Sequence, residues 1–172
     1  MVDDKILEGI KTFLIENVAS KIRLEKPIEE DEEEYQLVNP AVFVGWIPPK
    51  NHLQEYGYDI PSILVMQDGG EDDIDEASLD IRLGIATYDP GHTEGDITKP
   101  NSKGYKDILN LITRIRVELS NSTLVGGITV IKKPIRWGLY EEQAYPYWNG
   151  WITFRASIIP MGQHDPEIDK HL

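Results

Sequence analysis

The alternation of apolar and polar positions is sharpest between residues 77 and 119. Over residues 79–88, Leu79, Ile81, Leu83 and Ile85 alternate with Asp80, Arg82, Gly84 and Ala86. A period of two is that of a strand with one buried and one wet face. The loop 89–96 follows, rich in Gly and Pro, and Pro100-Asn101-Ser102 then supplies a helix start whose Asn101 or Ser102 oxygen can cap free amide groups. Tyr105, Ile108, Leu109, Ile112, Ile115 and Leu119 share one face of that helix, with Lys106, Asp107, Asn110, Thr113, Arg114 and Glu118 largely off it. The helix has one face to bury, and the sheet to which the strand belongs is the place for it.

The other segments read as partners for this pair. Residues 3–20 carry Ile6, Leu7, Ile10, Phe13, Leu14 and Val18 at helical spacing, with Asp3 and Asp4 at the end where the helix dipole favours negative charge. Residues 21–26 predict a short strand. The run 29–34 is wholly acidic and reads as a solvated loop or arm. Residues 41–47 and 60–66 are short apolar strands between breakers, with Pro61 tolerated at a strand end or edge. Gln67-Asp68-Gly69-Gly70 predicts a turn and 71–76 a second acidic loop, so these strands are expected to be consecutive antiparallel neighbours. Beyond the second helix, 121–127 predict a connector, 128–131 a strand, 137–150 an aromatic, turn-rich passage and 151–159 the last strand. In that strand Ile152, Phe154, Ala156 and Ile158 face away from Trp151, Thr153, Arg155 and Ser157. Residues 163–172 predict a loose polar tail. The order helix, strands, helix, strands predicts one α+β domain: a mostly antiparallel sheet with two main amphipathic helices packed on one face.

Composition agrees with one domain, since 172 residues with 40% hydrophobic and 27% charged side chains can bury a substantial core. The chain has no cysteine, which excludes disulfides, thiolate catalysis and zinc–thiolate sites. Its start lacks a basic lead and apolar run, and no apolar stretch nears the roughly 18 residues that span a bilayer. The expectation is a cytoplasmic protein with no membrane partner. The net charge of −13 is uneven: residues 1–100 carry 23 acidic and 8 basic side chains (−15), residues 101–172 carry 7 and 9 (+2). Such acidity disfavours sequence-specific nucleic-acid binding, aids solubility, and can line a passage through which DNA slides without sticking.

No stretch matches a catalytic motif. The acidic segment 68–79 fails the calcium-loop template, since Gly69 and Gly70 come too early, Asp73 stands where glycine is required and Leu79 where a bidentate glutamate belongs. The four histidines are scattered, with no His-Glu-x-x-His. Asp89, His92 and Asp96 share one loop and offer acid/base or metal chemistry, although polar residues between Gly and Pro are also ordinary turn chemistry. A nucleophile elbow, a P-loop and a dinucleotide fingerprint are all missing. Three tryptophans and three tyrosines between residues 137 and 151, among them Trp137, Tyr147 and Trp148, read either as sheet-end core or as interface anchors. Val42, Phe43, Trp46 and Ile47 pose the same choice.

An N-terminal amphipathic helix, strands at 41–47, 60–66 and 79–88, a helix after Tyr88-Asp89-Pro90-Gly91, and closing strands with Trp148-Asn149-Gly150-Trp151 resemble the tail terminator, or tail completion, proteins of tailed bacteriophages and prophages. The resemblance runs over residues 5–161 and lies in element order, size and character. It implies an α+β subunit, neither enzyme nor cofactor binder, that closes into a homo-hexameric ring. The ring would cap the tail tube protein and present its other face to the head connector protein, in a virion tail or neck assembled in the bacterial cytoplasm. On that resemblance the candidate interface comprises Asp68, Glu71, Asp72, Asp73 and Asp75, the loop residues Asp89, His92, Glu94 and Asp96, and Trp137, Tyr147 and Trp148. Alternatives are a head–tail adaptor or stopper, a small cytosolic enzyme using the Asp89 loop, and a monomeric binding domain using the aromatic passage.

Overall fold

The structure, a computed structural model, describes residues 2–29 and 36–158. The expectations for 30–34 and 163–172 lie outside the described residues. In chain order the elements are α1 (Val2–Asn17), β1 (Leu24–Glu25), β2 (Leu37–Val38), β3 (Ala41–Val44), β4 (Ser62–Asp72), β5 (Ala77–Tyr88), β6 (His92–Glu94), β7 (Ile97–Lys99), α2 (Lys103–Asn121), β8 (Ile131–Leu139) and β9 (Tyr147–Ile158). The fold is α+β and mostly sheet, as the element order implies. Five strands form the central sheet in the order β3-β4-β5-β9-β8, and β1–β2 and β6–β7 are separate two-stranded pairs.

Register shows why the two helices share one face. Directly paired residues project to the same side of a sheet. Leu83 pairs with Val65 and Ile152, Ile81 with Phe154, Leu79 with Ala156, and Ile63 with both Ile85 and Val42. All belong to one buried cluster with Ile10, Leu14 and Val18 of the α1 segment and Ile108, Ile112 and Ile115 of α2. Helix α1 lies over β3 and β4, and α2 over β5, β9 and β8. At about 25 cal/mol per Å² of apolar surface removed from water, this layer is the main source of stability. The connector before β8 is tied down as well: Gly126, at φ +60°, lies on the backbone of Gly9 of α1, where a side chain at 126 has no room.

Four expectations are corrected. Strands β3 and β4 pair in parallel, not antiparallel. The intervening residues 45–61 cross the opposite face, where Leu53, Tyr56 and Tyr58 cover Ala41, Phe43 and Leu64 in a second small cluster. A parallel pair needs such a long crossover, and the breakers Pro48-Pro49 hide it as a simple loop. Residues 67–72 do not turn: β4 continues to Asp72 opposite Ala77, absorbing a bulge between Gln67 and Gly69, so the reversal falls at 73–76. On α2 the buried stripe is Gly104, Ile108, Leu111, Ile112, Ile115 and Leu119, whereas Tyr105 and Leu109 are exposed. The stripe is turned so that Gly104 lies directly under Trp148, with no room for a side chain, and the exposed Tyr105 meets only the edge of that ring. Finally, the last strand pair is longer than expected: β8 spans Ile131–Leu139, and Tyr147-Trp148-Asn149-Gly150 are the first residues of β9. Pro134 inside β8 is compatible with strand because β8 is an edge, and the ladder to β9 shifts between Lys132 and Arg136.

Candidate functional site

The acidic residues of 68–76 stand on the outer half of the β4–β5 hairpin. Strand β3 pairs only with Ser62–Val65, so among the described residues the outer edge of β4 beyond that point has no neighbour in the sheet. The bulge places Asp68 against Arg82 (Oδ2 to Nε 2.6 Å), and this hydrogen bond, with one involving Tyr140, raises the Arg82 pKa above its ordinary value. Glu71 pairs with Arg155 at 3.3 Å, Arg155 also with Asp80 at 3.1 Å, and Glu76 with Lys132. Beyond the part covered by residues 45–61, the sheet face opposite the helices is thus a lattice of opposite charges. In the reversal Asp73 Oδ1 accepts the Ile74 amide at 2.7 Å, and Asp75 is exposed beside Ile74, itself 84% exposed.

The loop after β5 is organised differently. Lys103, at the first turn of α2, donates from Nζ to Asp89 (2.8 Å), Asp107 (3.0 Å) and Glu25 (3.2 Å). Burial lowers the Lys103 pKa, but the hydrogen bonds to Asp89, Asp107 and Glu25 outweigh it and the ammonium titrates above its ordinary value. Burial pushes Glu25 up, the Lys103 hydrogen bond opposes this, the charge of Asp89 adds to it, and the net shift is upward. The second oxygen of Asp89 accepts the Gly91 amide at 2.7 Å, and Tyr145 Oη donates to the Pro90 carbonyl at 2.6 Å. Gly91, at φ +103°, lies against the backbone of Lys99 and Pro100.

Asp89, 3% exposed, therefore belongs to the interior, which corrects its place among interface residues and separates it from His92 and Asp96. His92 and Glu94 lie on the exposed β6–β7 hairpin, 3.6 Å apart, and Asp96 sits in its two-residue turn. Among the described residues no group of three or more His, Asp or Glu is placed to hold a metal ion, and no helix is long and apolar enough to cross a membrane.

The aromatic passage divides. Trp148 packs on the main core and edge-on against Tyr105 (5.8 Å between ring centroids), its Nε1 without a hydrogen-bond partner. Tyr147 is half-buried against Tyr88 at 5.4 Å. Trp137 is 46% exposed and carries the Arg116 guanidinium 3.1 Å above its ring. Arg116, Val117, Lys133, Pro134, Ile135 and Trp137 line an open groove of about 600 Å³ between α2 and the edge strand β8, and among the described residues no carboxylate lines it. Motif reasoning missed Arg116 and Lys133. The signal that reveals them is a gap: residues 119–140 contain no acidic side chain, in a chain that has 30.

No family model matches this chain, and no curated protein matches it in sequence.

Proposed function

We propose that this chain is a structural protein of a phage or prophage tail that closes into an oligomeric ring, caps the tail tube and joins it to the head connector. The setting comes from the likeness in element order. The observation that carries the reading is the outer half of the β4–β5 hairpin, paired in register to Asp72 and Ala77 although residues 70–76 are exposed. The β5 arm of this hairpin is buried beside β9, but its β4 arm and reversal are strand and turn left exposed, a surface suited to meeting another molecule. Its acidic side chains keep the open edge from pairing with arbitrary strands and reserve it for a cationic partner. Rings require two different patches on each subunit, joined head to tail by a rotation that closes. Acidic hairpin and cation-lined edge are two such patches, separated in the sheet by β9.

Light scattering coupled to size exclusion tests this at low and moderate salt, because acidic subunits repel one another when screening is weak. A ring of six has a mass of about 118 kDa, six times the 19.6 kDa chain, and negative-stain images of that species should show a closed ring. A strict monomer that also fails to bind purified tail tubes overturns the reading.

A further inference from the structure

The groove between α2 and β8 is cationic and aromatic in a protein of net charge −13. We infer that its occupant is the 71–76 hairpin tip of a second copy of this chain, the acidic turn lying against Arg116 and Lys133 and the Ile74 side chain against Trp137 and Val117. This rests on the ring reading and specifies its contact.

Three observations bear on the choice. The first is charge complementarity: among the described residues the groove has two cations and no acid, and the tip has Asp73 and Asp75 within four residues. The cations of the open sheet face are engaged by carboxylates, Arg82 with Asp68, Arg155 with Asp80 and Glu71, and Lys132 with Glu76, whereas Arg116 lies on the Trp137 ring and Lys133 donates to the Ser120 hydroxyl at 3.0 Å. The second is the apolar residue at the tip. Ile74 is 84% exposed, the highest exposure of any large hydrophobic side chain among the described residues, and it projects from an otherwise acidic turn. An anchor of this kind needs a desolvated seat, and the Trp137 and Val117 surfaces, each about half exposed, provide one. The third is placement. Strand order β3-β4-β5-β9-β8 sets the hairpin and the groove on different strands; Glu76 at the foot of the turn pairs with Lys132 of β8, while Asp73, Ile74 and Asp75 stay exposed, so each copy offers both. Repetition of a heterologous contact of this type generates a ring.

The test exchanges charge on each side separately. One variant carries R116E and K133E, the other D73K and D75K; Lys133, Asp73 and Asp75 are exposed and Arg116 is half-buried on Trp137, so melting temperature and circular dichroism verify the fold of each. Each variant alone, facing itself with like charges, should assemble only at a concentration at least about tenfold above wild type. An equimolar mixture should regain the wild-type oligomer, because every groove then meets a hairpin of opposite charge. Wild-type assembly by either folded variant alone, or a mixture that stays dissociated, overturns the contact while the wild-type oligomer leaves the ring reading standing. A wild-type protein that is a strict monomer and also fails to bind purified tail tubes overturns both. A shift of tryptophan fluorescence on deleting residues 159–172 that W137F abolishes, measured at concentrations where the protein is monomeric, assigns the groove to the chain's own C-terminal segment and overturns the second-copy assignment.

Discussion

The two faces of the central sheet are made by the same strands and held by different forces. On β5, Leu79, Ile81, Leu83 and Ile85 are each at most 3% exposed and lie under the helices, while Asp80 and Arg82 between them enter ion pairs on the open face. The helix side is stabilised by apolar burial and close packing, where a cavity costs transfer energy plus lost contacts. The open side is held by pairs still in contact with water, Arg82 and Asp68 being 39% and 37% exposed, where the Coulomb gain is offset by solvation and lost side-chain freedom. One face thus sets whether the protein folds, and the other is free to be shaped for contact.

That contrast can be broken or sharpened by substitution. The largest effect is expected at Leu83, fully buried between Val65 and Ile152: Leu83→Ala should cost about 3 kcal/mol in urea unfolding. A loss as small as that of a surface pair would mean that the helix layer is not the main support. Next comes Lys103→Met, which leaves the buried carboxylate of Asp89 beside Glu25 and Asp107 with no cation; about 2 kcal/mol should be lost. Because Lys103 titrates above its ordinary value, its stabilisation is fully present below that value and is lost only as pH rises through the raised one, so the cost should stay flat between about pH 6 and pH 9.

A smaller effect of opposite sign is expected at Glu25. Its folded pKa is raised above the ordinary 4.5, so its contribution is fully present below 4.5 and is lost as pH rises through the folded value. Stability of Glu25→Gln relative to wild type should therefore be higher at pH 7 than at pH 4, by less than about 1 kcal/mol after discounting for exposure. A difference that grows toward acid would reverse the assigned sign. The smallest effect belongs to the open face: Arg82→Ala should cost about 0.5 kcal/mol, and less in 1 M salt. A cost above about 2 kcal/mol would show that the charge lattice carries the fold as well as the surface.

Legibility in the sequence followed the same division. Strand β5 and the Ile152, Phe154, Ala156 face of β9 could be read because each has one wet and one dry side, and the period of two survives. Helix α2 was legible as a helix but not in its rotation, since Tyr105 and Leu109 are as apolar as Leu111 and only the shape of the sheet beneath decides which is buried. The β4 extension was illegible because Asp, Gly and Glu are poor strand formers; the ladder to β5 holds them extended where local preference does not. Of the candidate site, the hairpin acids, the β6–β7 loop and Trp137 are at the surface, whereas Asp89 is interior, a distinction that residue type alone does not make.

From its order of apolar and polar residues, this chain determined its two helices, its main strands and the α+β class, because each of those rests on periodicity within a dozen neighbouring residues. Tertiary structure alone decided the parallel pairing of β3 with β4, the capture of Asp89 by Lys103, and the meeting of Arg116 with Trp137 and Lys133 across α2 and β8. Those depend on contacts between residues far apart in the chain, whose energies are set by geometry and desolvation.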